Sequence, residues 1–417
     1  MAWADKLRWK TDCGARTADD KTRGRKMEQG EAKMENTTKL MMTGLVLALI
    51  VVSGCATQTT QIAAPIEEKA PIKIGAVIAL TGSNSVYGEQ AKRGIEIAVE
   101  EINKEGIKGR PLQIIYEDSK GNAKEAMTIF SKLRGDNITV FLTLTSAVAM
   151  ALSPLANQEK SIQMEMGAVA PKYATPADYT FRTVMNAYEF SKGIAKALKS
   201  KGINRVGLFH VNSEWGAGMA QAAADTFEKE GITIVQTEIF DEGASDMSTQ
   251  LLKLKTGSFH DIVLVSTQPE AGRVLKQAGE LNLGKQWYSD SYTVEGQMVL
   301  DTAGAAADGV IYVTPAFDKD DKNEAVQGFV VAYAKKHSQE PAFLEAQAYD
   351  GVNLIADSMR RCSDPLDTEC LKNTLAKTSG YNGASGAITF DENGDPVGKT
   401  MALKTIRDGK YVGADSR

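Results

Sequence analysis

Apolar and polar positions follow two patterns along residues 71–413. Short apolar runs of strand character are separated by longer stretches in which apolar residues recur every three or four positions. In the stretch 88–104, for example, Ile95, Ala98 and Ile102 fall on one face of a helix. Strands that alternate with amphipathic helices build parallel sheets covered by helices on both faces. The pattern therefore predicts an α/β fold.

These elements form two successive series, which meet after Arg182. The first series has strands at 72–80, 112–117 and 138–144 and helices at 88–104 and 123–133. The second has strands at 205–210, 232–240 and 261–267 and helices near 216–230, 245–255 and 269–281. Two sets of βαβ units in one chain predict two doubly wound, Rossmann-like lobes.

A different apolar run, 45–52, ends at Ser53, Gly54 and Cys55. It is too short to span a bilayer and has the length of a signal-peptide core. Small residues before a lone cysteine, followed by a polar linker, resemble a bacterial lipobox. We therefore expect an exported protein in which Cys55 is the lipidated first residue, held to a membrane on the periplasmic or cell-surface side. A short membrane anchor or a buried helix is the alternative.

Residues 1–33 are polar, mixed in charge and without apolar periodicity, so they are expected to lie outside the fold. A start at Met27 or Met34 would give a signal peptide of ordinary length, and a cytoplasmic tail is the alternative. Residues 1–54 are accordingly interpreted as a start assigned too early plus a signal peptide, and residues 55–70 as a lipidated linker.

Length and charge limit the function of the remainder. Of 417 residues, the 54 before Cys55 carry three more basic than acidic side chains, so the net charge of −5 becomes −8 for the remaining 363. The acidic balance argues against nucleic acid as a partner. A chain of this length is longer than a single hydrophobic core usually serves, which agrees with two lobes. There is no Walker A string, so no ATP site and no cofactor are expected.

Two further cysteines, Cys362 and Cys370, remain after Cys55 is assigned to the lipid and Cys13 to the leading segment. A small local disulfide is the natural interpretation in an oxidising compartment. A metal site is the alternative, but the sequence offers no nearby histidine and no second cysteine pair.

The order of the elements and four local strings are similar to those of one family. The strings are IKIGAVIALTG at 72–82, YGEQAKRGIEIAVEEIN at 87–103, WGAGM at 215–219 and ITFDENGD at 388–395. They resemble the branched-chain amino-acid-binding proteins of bacterial ABC transporters, which have the type I periplasmic binding fold. The resemblance covers residues 71 to 413 and is carried mainly by positions that determine the fold.

The resemblance implies two lobes joined by three chain crossings that act as a hinge. Lobe one would comprise 71–187 and 316–388, and lobe two 188–315 and 389–413. The ligand would lie between the lobes at the carboxyl ends of strands, where helix N-termini favour anions. Closure of the lobes over the ligand is the expected mechanism.

The resemblance also implies roles for four residues. Thr145 and Ser146, in the loop after the third strand, match the family's grip on the ligand carboxylate; a plain helix N-cap is the alternative. Tyr87 and Trp215 would offer aromatic rings from opposite lobes. Packing of each ring on its own lobe is the alternative for this pair.

Other positions depart from the family pattern. Where the family commonly has a hydroxyl residue after the fourth strand, this chain has Gly167, Ala168 and Val169. Where the leucine-binding members present a tyrosine, it has Thr267 and Gln268. All five are expected to contact the ligand.

The acidic residue that pairs with a ligand ammonium aligns with Ser291, and Asp290 lies one position away. A buried ammonium without a carboxylate partner is costly. The ligand is therefore expected to be an amino acid only if Asp290 or Glu165 reaches it.

The leading hypothesis is a monomeric receptor that delivers an aliphatic or apolar amino acid to an ABC permease. The alternatives are a receptor for an amide or an amine-free aromatic or keto acid, a sensory module for a membrane partner, and a protein-interaction scaffold.

An enzyme that pairs His210 with Ser146 is not expected, because no nucleophile elbow surrounds a serine. The string at 391–395 lacks the glutamate that closes a calcium loop and predicts an Asn-Gly hairpin turn instead.

Overall fold

The computed structural model describes residues 69–414, so the predicted signal peptide and Cys55 lie outside the described residues. The strands are β1 (Ile72–Ile78), β2 (Leu112–Asp118), β3 (Val140–Thr143), β4 (Ile162–Glu165), β5 (Thr180–Arg182), β6 (Arg205–Asn212), β7 (Thr233–Asp241), β8 (Asp261–Val265), β9 (Gln286–Asp290), β10 (Ile311–Pro315), β11 (Tyr381–Gly383), β12 (Gly386–Phe390), β13 (Pro396–Val397), β14 (Met401–Arg407) and β15 (Lys410–Gly413).

Helices follow most of these strands. They are α1 (Ser85–Ile102), α2 (Ala123–Gly135), α3 (Ser146–Gln158), α4 (Ala187–Ser200), α5 (Glu214–Lys229), α6 (Ser248–Thr256), α7 (Gln268–Glu280), α8 (Ser291–Val294), α9 (Gln297–Ala303), α10 (Glu324–His337), α11 (Phe343–Arg361) and α12 (Thr368–Leu375). No helix of the described part of the chain is long and apolar enough to cross a membrane.

The strands form two large sheets. The first is parallel and has the order β2-β1-β3-β4-β5. The second has the order β15-β14-β10-β9-β8-β6-β7, in which β14 and β15 run antiparallel to the rest. Both sheets are doubly wound, and the predicted α/β fold with two Rossmann-like lobes is confirmed.

Strand β1 shows why the apolar runs are continuous rather than alternating. Ile72, Ile74 and Ile78 pack into one core cluster, whereas Val77 packs with Phe141 in another. Since helices cover both faces of a parallel sheet, both sets of side chains are buried. The same coverage explains why six of the seven β1 residues are buried.

The predicted elements match the structure to within a few residues. Helix α1 begins at Ser85 rather than at Gly88, because that glycine serves a close contact instead of a helix end. A Cβ on Gly88 would lie 1.7 Å from the carbonyl oxygen of Ala79, at the end of the preceding strand segment. Gly216 in α5 has the same relation to Val211, at 1.8 Å. Both helices are thus seated directly against the strand that precedes them.

The chain passes between the two sheets three times. It leaves the first sheet after β5, returns through α11, which packs on α1, and leaves again at β14. Strand β13 pairs with β12, and the Arg182 amide donates to the Gly394 carbonyl. The segment 389–397, which the sequence assigned to lobe two, therefore lies beside the first sheet. The other predicted lobe bounds remain a proposal.

A buried ion pair holds this last crossing in place. The Arg182 guanidinium, fully buried, donates to both carboxylate oxygens of Asp395 at 2.5 and 2.8 Å. Its remaining nitrogen donates to the carbonyls of Ala168 and Ala170. Because one arginine contacts both segments, the 391–395 turn is tied to the loop that follows β4.

Candidate functional site

A cleft lies between the carboxyl ends of strands from the two large sheets, with about 620 Å³ of empty space including open solvent. Such a position is where doubly wound folds bind ligands. The lining residues are Asn84, Tyr87, Gly121, Leu144, Thr145, Ser146, Ala147, Gly167, Ser213, Glu214, Trp215, Glu242, Ser266, Thr267, Tyr292 and Leu344.

The N-terminus of α3 forms one end of the cleft. Thr145 precedes the helix with φ 83° and ψ 142°, a conformation that L residues rarely adopt, and its side chain does not cap the helix. The hydroxyls of Thr145 and Ser146 are buried and have no hydrogen-bond partner among residues 69–414. The first amides of any helix also lack partners within the helix. This end of the cleft therefore offers donors and the positive end of a helix dipole to an anion.

Glu165, at the end of β4, shapes the loop beside α3. Its Oε1 accepts hydrogen bonds from the amides of Met166, Gly167 and Ala168 at 3.1, 2.9 and 2.8 Å. Its Oε2 accepts from the Thr143 hydroxyl at 2.6 Å. Burial raises the pKa of this carboxyl to about 7, although these hydrogen bonds lower it. Glu165 thus supports the loop and does not line the cleft.

Aromatic rings form the walls. The Tyr292 ring lies 5.7 Å from Trp215 and 6.5 Å from Tyr87, both in edge-to-face contacts. Phe343 and Phe190 pack on the same ring at 4.9 and 5.8 Å. Edge-to-face pairs of this kind add to the stabilisation that apolar burial gives. The cleft is therefore polar at α3 and largely apolar beside it.

Two tyrosine hydroxyls join elements of the two large sheets. The Tyr87 hydroxyl, on α1, donates to the Tyr292 carbonyl at 2.8 Å and accepts from the Gln268 amide at 2.9 Å. The Tyr292 hydroxyl donates to Gln347 Oε1, on α11, at 3.0 Å. Burial raises the pKa of both tyrosines well above 10, so both are neutral donors. The structure thus has the two lobes in contact across the cleft.

Thr267 and Gln268, at the start of α7, are only partly directed at the cleft. Thr267 lines it, but its hydroxyl donates to Glu270. The Gln268 side chain is buried and donates to the Glu295 carbonyl at 3.1 Å, away from the lining residues. The backbone amide of Gln268 reaches Tyr87 instead.

Asp290 lies at the end of β9 and caps α8. Its carboxylate accepts from the Thr293 amide at 3.1 Å and from the Thr293 hydroxyl at 2.8 Å. Desolvation by burial raises its pKa to about 7. Ser291 follows it and is fully buried. Neither residue lines the cleft, whereas the next residue, Tyr292, does.

Two acidic residues, Glu214 and Glu242, line the cleft, and both are exposed. Glu242, directly after β7, accepts from Asn84 Nδ2 at 3.3 Å and from the Ser83 hydroxyl at 3.4 Å. Glu214 lies in the first turn of α5. Both residues are exposed to solvent, whereas the hydroxyls of Thr145 and Ser146 are buried.

The structure brings six of the predicted binding residues to the cleft: Tyr87, Thr145, Ser146, Gly167, Trp215 and Thr267. The other five are buried outside it: Ala168, Val169, Gln268, Asp290 and Ser291. Ligand contact stays a prediction for all of them. Sequence reasoning missed Tyr292, Glu242 and Leu344. The position of Glu242 directly after a strand could have revealed it, whereas Leu344 carries no local signal.

Other predicted features lie away from the cleft. His210 is buried, and its ring Nδ1 lies 3.0 Å from the Val211 carbonyl oxygen, so it does not meet Ser146. A disulfide joins Cys362, at the end of α11, to Cys370 in α12. The described residues contain no cluster of side chains that would hold a metal ion.

Comparisons with known proteins agree with this geometry. A family model described as periplasmic binding protein matches residues 71–410. The Leu/Ile/Val-binding protein homolog 3 of Brucella melitensis is 29% identical over 359 residues, which cover 83% of this chain and 94% of that protein.

Solved structures extend the likeness to three dimensions. A branched-chain amino acid transporter substrate-binding protein from Streptococcus pneumoniae, solved in complex with isoleucine, has a TM-score of 0.73 at 26% identity, over 82% of this chain and 97% of that one. A leucine-binding protein from Thermotoga maritima has a TM-score of 0.76 at 24% identity, over 82% and 97%, and so shares the fold.

The matched proteins are substrate-binding proteins rather than enzymes, and the family name implies a location outside the cytoplasm. The family expected from the sequence is thereby confirmed. Since the family model spans both sheets and the cleft between them, this chain belongs to the periplasmic binding protein family.

Proposed function

We propose that this protein is an extracytoplasmic receptor that captures a small carboxylate with an apolar body and delivers it to an ABC permease. One observation carries the proposal: the uncapped N-terminus of α3 meets the cleft, where the buried hydroxyls of Thr145 and Ser146 have no partner among residues 69–414. Unpaired buried polar groups are costly, so a ligand that accepts hydrogen bonds there stabilises the complex.

Lobe closure completes the site in this proposal. The first sheet and α3 bind the carboxylate, and Trp215 and Tyr292, which belong to elements of the second sheet, cover the apolar body. A ligand that contacts both lobes binds the closed state better than the open one and shifts the population towards it. The closed form is the species that a permease would recognise.

The amino-acid version of this function is the second candidate. It is favoured by the relatives, among them the Streptococcus pneumoniae protein solved with isoleucine. Anchoring to a membrane through a lipid on Cys55 belongs to the same proposal and rests on the lipobox alone.

Thermal unfolding of the purified protein against a panel of small acids tests the function. The panel contains apolar amino acids, aromatic acids, 2-oxo acids and the matching amides. A ligand at 100 times its dissociation constant adds about 2.7 kcal/mol to the free energy of unfolding. We expect at least one carboxylate to raise the melting temperature and its amide to do so less.

Ser146→Ala removes one of the two hydroxyls and is expected to reduce the shift. Ser153→Ala is the matched control, because Ser153 is a buried serine of the same helix that does not line the cleft. A shift that survives Ser146→Ala unchanged, or a panel without any shift, would count against the proposal.

A further inference from the structure

We propose that the cleft selects carboxylates that carry no ammonium group, such as 2-oxo acids and simple aliphatic or aromatic acids. This inference rests on the function proposed above and narrows its ligand class. It depends on where the acidic side chains around the cleft direct their oxygens.

An amino acid bound with its carboxylate at α3 places its ammonium one carbon away. At that end of the cleft, the side-chain groups are the hydroxyls of Thr145 and Ser146, which lie beside the first amides of the helix. The helix N–H groups only donate, the two hydroxyl oxygens can accept but carry no charge, and the positive end of the helix dipole repels a cation. An ammonium in this position therefore needs a carboxylate partner from another element, because a buried unpaired charge is strongly unfavourable.

Four buried carboxylates lie within three residues of a lining residue, and all four are engaged elsewhere. Asp290 binds the amide and hydroxyl of Thr293, and Glu165 binds three loop amides and the Thr143 hydroxyl. Glu270 accepts from the Thr267 hydroxyl and the Gly243 amide, and Glu345 accepts from Arg93, the Tyr333 hydroxyl and the Ala342 amide. None of the four lines the cleft. Burial raises the pKa of Asp290 and of Glu165 to about 7.

Near Asp290, the side chain that lines the cleft is an aromatic ring. Tyr292, two residues after Asp290, lines the cleft and is fixed by ring contacts with Trp215 and Phe343 and by its bond to Gln347. Its carbonyl, a possible acceptor for an ammonium, already accepts from the Tyr87 hydroxyl.

The acids that do line the cleft, Glu214 and Glu242, are exposed to solvent. Glu242 already accepts from two side chains of the opposite lobe. An ammonium paired there would keep water as a competitor, which makes an exposed ion pair weak. The cleft thus combines donors at α3 with apolar walls that include Leu144 and Leu344, and this combination fits an acid with a branched or flat apolar body.

Calorimetric titration of the purified protein with ligands that share one carbon skeleton tests the inference. One set is leucine, 4-methyl-2-oxopentanoate and 4-methylpentanoate; the other is phenylalanine, phenylpyruvate and 3-phenylpropanoate. We expect the amine-free members of at least one set to bind at least tenfold more tightly than the amino acid.

Each other outcome has a definite meaning. An amino acid that binds as tightly as its amine-free counterparts, or more tightly, overturns this inference and leaves the carboxylate-receptor function standing. Two sets that do not bind at all overturn both proposals.

Two variants then ask whether a hidden ammonium partner exists. Asp290→Asn and Glu242→Gln remove the charge with little change in shape. We expect each to leave the ratio of amine-free to amino-acid affinity within threefold of the parent value. A variant that weakens only the amino acid by tenfold or more identifies its carboxylate as an ammonium partner and overturns the inference. If a variant does not fold, the ranking on the parent protein decides alone.

Discussion

Tyr87 and Tyr292 are 205 positions apart in the chain, yet the hydroxyl of the first donates to the carbonyl of the second at 2.8 Å. The same hydroxyl accepts from the amide of Gln268 at 2.9 Å. One side chain of α1 thus satisfies two buried backbone groups of the other lobe. Since buried backbone groups are seldom left unpaired, these contacts favour the closed arrangement.

Tyr87→Phe should therefore open the lobes. The change keeps the ring but leaves a buried amide and a buried carbonyl without their partner, each worth about 1 kcal/mol. We expect ligand affinity to fall roughly tenfold to a hundredfold, and small-angle scattering to show a larger radius of gyration. Tyr188→Phe is the control, because that hydroxyl binds Asp225 away from the cleft. Equal scattering and affinity for Tyr87→Phe and the parent would refute the idea that the Tyr87 hydroxyl stabilises the closed arrangement.

Thr145 is expected to lower the stability of the folded protein and to increase its affinity for the ligand. A β-branched residue at φ 83° is strained, and strain of this kind costs on the order of 1 to 3 kcal/mol. Thr145→Gly should raise the free energy of unfolding by about 1 kcal/mol, because the strain is relieved. It should also weaken ligand binding, because the hydroxyl is lost. Denaturant unfolding and titration measure the two effects. Thr145→Ser, which keeps the hydroxyl, should retain more affinity; a glycine variant that is less stable than the parent contradicts the strain argument.

Glu165 should make stability depend on pH. Its pKa is raised from 4.5 to about 7 in the folded protein, so between these values the folded state holds a proton that the unfolded state has lost. Stability from this group is therefore highest below about pH 4.5 and falls as pH rises to about 7.

Glu165→Gln removes this titration and keeps an acceptor for the three loop amides. Relative to the parent, the variant should gain stability between pH 4.5 and 7.5, on the order of 3 kcal/mol. Unfolding of both proteins by denaturant across this range measures the difference. A difference that does not change with pH would show that Glu165 titrates near its ordinary value.

The disulfide between Cys362 and Cys370 is expected to support stability and not binding. It closes a loop with a sequence separation of 8. The chain-entropy estimate for so short a loop is about 2.5 kcal/mol. Replacing both cysteines by serine should lower the free energy of unfolding by up to this amount and leave affinity unchanged, since neither residue lines the cleft. Reductant should reproduce the loss in the parent and have no effect on the variant.

The sequence predicted the elements because their signals are local. Apolar periodicity placed α1, α2 and the first three strands to within a few residues, and the Asn-Gly string placed the turn at 391–395. The resemblance to the family pointed to Thr145 and Ser146, which lie between a parallel strand and the next helix and thus at the carboxyl edge of the sheet. Tyr87, Gly167, Trp215 and Thr267 line the cleft with them.

Local sequence patterns could not predict the orientation of side chains that depends on tertiary contacts. Asp290 is the last residue of β9, but its carboxylate accepts from Thr293, three residues further on, and the ring of Tyr292 lines the cleft instead. The pairing of Asp395 with Arg182 across 213 positions was likewise not predicted.

The sequence by itself thus predicted the two α/β lobes, which follow from short-range periodicity, and its resemblance to known proteins identified the family. Only the tertiary structure decided which acids are free to meet a ligand and which rings line the walls. The reason is that a carboxylate buried at a strand end is satisfied by whichever donor packs beside it, and an aromatic ring lies where its neighbours leave space.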